Sequence, residues 1–137
     1  MMNIKTIKRD AKNILSLSEN PPPVCPIRDI LDKISGKWSL LVLLTLSVNG
    51  KKRFNQLKRE LGDISQRMLT VTLRSLERDG LVTREIFSEI PPRVEYELTD
   101  LGYSSLEPML PLIRRSFENL EVILKSRAAF DRKNKNS

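Results

Sequence analysis

Histidine is missing from all 137 residues, which removes imidazole general bases, Ser-His-Asp and Cys-His pairs, and the commonest transition-metal ligand. Cysteine occurs once, at Cys25, so neither an intramolecular disulfide nor a multi-cysteine zinc site can form. No enzyme, metal site or cofactor is therefore expected. Long apolar runs are also lacking: the richest stretch, Trp38 to Leu46, falls far short of the roughly 18 to 20 residues that span a bilayer and reads as a buried helix. The first residues lack the charged, apolar and small-residue order of a secretory signal, and a cytoplasmic location follows as the expectation. Acidic residues are the scarcer charge, 17 Asp and Glu against 24 Lys and Arg, for a net charge of +7. That balance favours a polyanionic partner, nucleic acid or a membrane surface. With 39% apolar residues the chain can bury an ordinary core, and its length fits one domain with a helical appendage.

Apolar spacing supplies the elements. Ile4, Ile7, Ala11, Ile14 and Leu15 recur among Lys5, Lys8, Arg9 and Lys12, the pattern of an amphipathic helix over 3–18. Pro21, Pro22 and Pro23 should end it in an extended linker. A second helix is expected from Pro26 to Ser35 and a third from about Lys37 to Ser47. After a strand fragment at Arg53-Phe54, Asn55 is placed to cap a helix that Gly62 ends. Ser65 should cap a longer helix reaching Asp79, with Leu69, Leu73 and Leu76 inward and Gly80 beyond its end. Near-alternation over Val82–Phe87 and Val94–Leu98 predicts a hairpin around Pro91-Pro92-Arg93. Thr99 caps a final helical region that Pro108 and Pro111 should kink or delay, and the polar residues from Asp131 onward are expected to lack structure.

The fold class is thus mainly α with a small β-hairpin. Four regions are expected: an N-terminal helix and linker (1–23), a winged helix-turn-helix domain (24–100), a C-terminal dimerisation helix (101–130) and a basic tail (131–137). Two helices joined by Gly62-Asp63-Ile64 can place the second in the DNA major groove, with its N-terminal residues at base edges. Charge agrees with this. Residues 51–93 hold ten Lys/Arg against six Asp/Glu, whereas 94–124 hold two against six.

Gln66, Arg67, Thr70, Val71 and Arg74 are the candidate base readers, since Arg pairs bidentately with guanine, Gln with adenine, and an apolar side chain with the thymine methyl. Lys51, Lys52, Arg53 and Ser65 are candidates for the DNA backbone, and Arg93 for the backbone or the minor groove beneath the wing. Taken singly, each of these charges is more often a solvated surface residue than a contact. Turn, cap and hairpin together favour the interface.

Several segments in order then carry a resemblance: Cys25-Pro26, Gly36-Lys37-Trp38, Lys52-Arg53-Phe54-Asn55, Ile64-Ser65-Gln66-Arg67-Met68-Leu69-Thr70, Leu73-Arg74-Ser75-Leu76-Glu77-Arg78-Asp79-Gly80-Leu81 and Pro91-Pro92-Arg93-Val94-Glu95-Tyr96-Glu97-Leu98-Thr99. Over about residues 24–120 the chain resembles the HxlR-type winged-helix transcriptional regulators. The resemblance implies a cytoplasmic, homodimeric regulator of double-stranded DNA. Val71 departs from it, standing where the family often has a polar residue.

Cys25 precedes a predicted helix start, where the helix dipole and Arg28 would favour a thiolate. The resemblance implies that such a cysteine senses a small electrophile or oxidant; the alternative is a thiol that only fills an apolar site. A dimer would pair the stripes Ile4, Ile7 and Ile14 with Leu106, Leu110, Ile113, Phe117, Leu120 and Leu124, which a compact winged helix leaves without partners. Rival readings are a winged-helix protein-interaction module, an enzyme built on Glu95, Glu97 and Asp100, for which no pocket-forming motif is visible, and a membrane-surface role for the N-terminal basic helix.

Overall fold

The computed structural model describes residues 3–16 and 36–135. The predicted linker at Pro21–Pro23, the helix expected from Pro26 and Cys25 itself lie outside the described residues. The elements are α1 (Ile4–Ser16), α2 (Lys37–Asn49), β1 (Lys52–Arg53), α3 (Phe54–Leu61), α4 (Gln66–Arg78), β2 (Val82–Phe87), β3 (Arg93–Leu98), α5 (Asp100–Leu106), α6 (Met109–Glu118) and α7 (Leu120–Lys135). The three strands form one antiparallel sheet in the order β1-β3-β2.

Helix α2 is apolar on nearly every side because it runs through the centre: Val42, Leu43 and Leu46 have no exposed surface. Leu57 of α3 and Leu69, Leu73 and Leu76 of α4 pack into the same cluster, which Leu81, Val82, Tyr96 and Leu98 of the sheet close from the other side. The inward stripe expected of α4 is thus the stripe observed.

Leu106 belongs to this core, only 3% exposed. Its expected place in a dimer interface is corrected: α5 folds back over α2 and spends that leucine inside its own subunit.

The expected cap at Asn55 is also corrected. Arg53 pairs with Glu95 as the last residue of β1 and is at the same time the N-cap of α3, with no capping side chain. Strand passes into helix with no residue between, so the helix begins two positions earlier than a capping Asn55 would allow.

At the C-terminal end of α4 the chain reverses in a Schellman turn. Gly80, at φ +78°, donates its N–H to the Glu77 carbonyl at 3.0 Å, and Leu81 donates to that of Leu76 at 2.9 Å. The Thr99 hydroxyl donates to the Gly80 carbonyl at 2.6 Å and accepts the Gly102 N–H at 3.1 Å. The Thr99 N–H reaches the Leu81 carbonyl at 3.1 Å. One threonine therefore ties the end of α4, the base of the hairpin and the start of α5 together.

The C-terminal region is three helices, not one kinked helix. Pro108 is the N-cap of α6, and Pro111 falls in its first turn, where a missing N–H breaks no helical hydrogen bond. The tail expected to be unstructured from Asp131 is corrected to helix through Lys135. Ala128 and Ala129 favour the helix, and Arg132, Lys133 and Lys135 suit its negative end.

Gly102 is the tightest point of this frame, since an added Cβ would collide with the Leu81 carbonyl oxygen and lie 3.1 Å from Leu98 Cδ2. Gly102→Ala should lower stability by about 1–3 kcal/mol, read as a fall of several degrees in the thermal midpoint by far-UV circular dichroism. An unchanged midpoint would sink this account of the junction.

Candidate nucleic-acid interface

The candidate reader is α4, and its start is fixed by Ser65, whose hydroxyl accepts the Met68 N–H at 3.0 Å. Because Leu69, Leu73 and Leu76 hold one face in the core, helical geometry turns the other outward. Gln66, Arg67, Thr70, Val71 and Arg74 are all exposed there. The Thr70 hydroxyl donates to the Gln66 carbonyl at 2.9 Å, which leaves its lone pairs as the free hydrogen-bonding capacity. Arg67 and Arg74 make no ion pair among the described residues.

Between α4 and the sheet lies a cleft of about 290 Å³ bordered by Gln66, Thr70, Arg74, Glu77, Arg84 and Tyr96, among others. Arg84 was not among the sequence candidates. It stands opposite Tyr96 on the sheet and shares a face with buried Val82, so it continues the core-facing side of β2 past the point where the core ends. Period-two alternation from Val82 is the signal that would have found it.

The basic run Lys51 to Arg53 divides by the same rule. Lys51 is half exposed, with Glu85 and Glu97 each 3.9 Å from its ammonium, too far for strong pairing. Arg53 is exposed at the start of α3. Lys52 is corrected: it is 2% exposed, and its ammonium lies 2.8 Å from Glu60 Oε2. Strand alternation sends its stem into the core and its charge to the last turn of α3, where it clasps the sheet to the helix-turn-helix and has no reach to a phosphate.

Arg93 is likewise committed within the wing. Its guanidinium sits 4.0 Å from the centre of the Phe87 ring, with Glu89 at 3.2 Å and Glu95 at 3.5 Å. These contacts stiffen the hairpin beneath its tip, whose Ile90–Pro91 bond is cis. As placed, the charge of Arg93 is shared between Glu89 and Glu95.

Two helices joined by a tight turn, the second capped and exposed, with a three-stranded sheet and wing behind them, define a winged helix-turn-helix protein. The chain belongs to the HxlR-like helix-turn-helix family, which it matches over residues 33–120. Cys25 precedes the matched span, which starts later than the resemblance from residue 24 suggested. The HTH-type transcriptional regulator YdeP of Bacillus subtilis is 49% identical over 86 residues, 63% of this chain and 66% of YdeP. Among solved structures, the transcriptional regulator ytfH from Salmonella typhimurium superposes with a TM-score of 0.70 at 34% identity, covering 78% of this chain and 95% of ytfH. The redox regulator HypR in its reduced form gives a TM-score of 0.62 at 42% identity, covering 74% of this chain and 98% of HypR.

The two neighbouring lysines should separate in a salt titration of DNA affinity. Lys51→Ala should flatten the plot of log affinity against log salt by about one unit. Lys52→Met should leave the slope as it is and lower the urea midpoint instead. A flattened slope for Lys52→Met would return that residue to the DNA surface.

Proposed function

We propose that the protein is a sequence-specific transcriptional regulator that binds double-stranded DNA as a homodimer on a palindromic promoter site. The observation that carries the reading is the outward face of α4, where two unpaired arginines stand among Gln66, Thr70 and Val71 on a helix held by its cap and its leucine stripe. Arg67, the second residue of α4, makes the principal base contact. Thr70, Val71 and Arg74 extend the read, and Lys51, Arg53 and Arg84 hold the phosphates. Ser65 contributes through its cap, and Arg93 by keeping the wing rigid.

Support for the dimer comes from apolar surface that the subunit leaves uncovered. Ile4, Ile7 and Ile14 of α1 are more than half exposed, as is Phe117, while Leu110, Leu120 and Leu124 are 38–50% exposed and Ile113 is partly covered. Leu106 takes no part. Burying these stripes against a second copy sets two readers on one face, matched to half-sites about 34 Å apart.

Cys25 is the proposed switch, supported by the redox regulator HypR among the structural relatives. With one cysteine per chain, an oxidative bridge would join the two subunits, and an electrophile would add to the thiol directly.

Against a site selected from random DNA, Arg67→Ala should lose about 1–3 kcal/mol of discrimination at one base position, measured by fluorescence anisotropy across single-base variants. An unchanged preference would remove Arg67 from the reader. For the switch, diamide should weaken or strengthen binding of the native protein and leave Cys25→Ser unaffected. Equal responses of the two proteins, or none from either, would reduce Cys25 to a packed thiol.

A further inference from the structure

A second cleft adjoins the one beside the reader, with Phe54 and Val94 bordering both. It has a volume of about 790 Å³ and opens between the first turns of α3 and the hairpin tip, a size ordinary for small-molecule sites. Its apolar wall is Phe54, Ile90, Pro91, Pro92 and Val94. Ile90 projects wholly into solvent at 103% relative exposure, an apolar side chain with no protein to cover it.

The polar side of the same cleft holds Arg53, Asn55, Gln56 and Arg59. Neither Arg53 nor Arg59 has an ion-pair partner among the described residues. Glu89 also borders the cleft, but its charge is engaged by Arg93 at 3.2 Å. Arg93 lines the cleft too, and its Nε is buried with no hydrogen-bond acceptor, Glu95 lying 3.5 Å away without forming one.

We propose that this cleft is a binding site for an amphipathic anion, a flat apolar body bearing a carboxylate, whose occupancy opposes DNA binding. The body lies against Phe54 and the Pro91-Pro92 tip and covers Ile90. The carboxylate takes charge-assisted hydrogen bonds from Arg53 and Arg59, whose planar guanidiniums match its two oxygens. A phosphodiester strand would satisfy the arginines and leave the apolar wall in water, whereas a neutral hydrocarbon would leave the arginines unused. The mixed lining favours a ligand having both parts.

Opposition to DNA rests on the regulator reading above, in which Arg53 is a phosphate contact. A carboxylate that occupies its guanidinium takes it from the DNA backbone, and a body wedged under the wing tip obstructs the same approach. The two sites share one arginine, so binding at each weakens the other by the same factor.

The probe is 2-naphthoate, titrated into the full-length protein without DNA and followed by amide chemical shifts. Saturable shifts should concentrate at residues 53–59 and 89–94. The neutral analogue 2-naphthylmethanol and the variant Arg59→Ala should each bind about tenfold more weakly, the loss expected for one charge-assisted hydrogen bond. Absence of saturation, equal binding of the neutral analogue, or shifts spread over the apolar faces of α1, α6 and α7 would overturn the site. In a second arm, saturating naphthoate should raise the dissociation constant for a selected DNA site. Binding in the cleft with DNA affinity unchanged would overturn the antagonism. Failure to bind DNA without the probe would refute the regulator reading and leave the result of the first arm intact.

Discussion

The Thr99 hydroxyl, 2.6 Å from the Gly80 carbonyl, is the point through which the working parts of this head are connected. It satisfies one end of the reader helix and the start of α5 at once, and its own N–H closes the hairpin onto Leu81. Backbone polar groups withdrawn from water must find partners, and here the Gly80 and Leu81 carbonyls and the Thr99 and Gly102 N–H groups find theirs at one residue. The consequence is geometric. Reader, wing and α5 leave a common junction in fixed directions, and Gly102 permits this because only a residue without Cβ can approach Leu81 so closely.

The rest of the head is a leucine core arranged so that its surface is left to charge. Leu57, Leu69, Leu73 and Leu76 are fully or almost fully buried, and their spacing leaves Arg67 and Arg74 outside with no ion pair among the described residues. Where carboxylates do approach, they hold structure. Glu60 secures Lys52, while Glu89 and Glu95 flank Arg93. Basic residues of the head thus divide into those that brace it and those with no ion pair among the described residues, Arg53 and Arg59 on α3 and its cap, Arg67, Arg74 and Arg78 on α4 and Arg84 on β2 among the latter.

Much of this was legible before any coordinates. The leucine stripe of α4, its Ser65 cap, the Gly80 reversal, the hairpin and the Thr99 cap are local devices, each written in a few adjacent residues. Less legible were features set by alternation and by packing between distant segments. Lys51, Lys52 and Arg53 read as one basic run, although a strand sends alternate side chains to opposite faces. Leu106 continues the helical spacing of the exposed apolar residues after it, and only the return of α5 across α2 separates it from them. Arg93 looks like a free wing cation because nothing local announces that Glu89, Glu95 and Phe87 will surround it. Arg84 was overlooked since its importance comes from lying beside Arg74, ten positions earlier in the chain.

The direct passage from β1 into α3 carries one more consequence. With no intervening residue to absorb rotation, any twist of the sheet must turn the first helix of the pair, and with it the turn that carries the reader. Lys52 and Glu60 bolt the same two parts together a second time. Sheet and helix-turn-helix in the head are therefore joined at two points, the direct passage from β1 into α3 and the Lys52–Glu60 pair. A signal reaching the head acts by obstructing its surface or by displacing the unit as a whole.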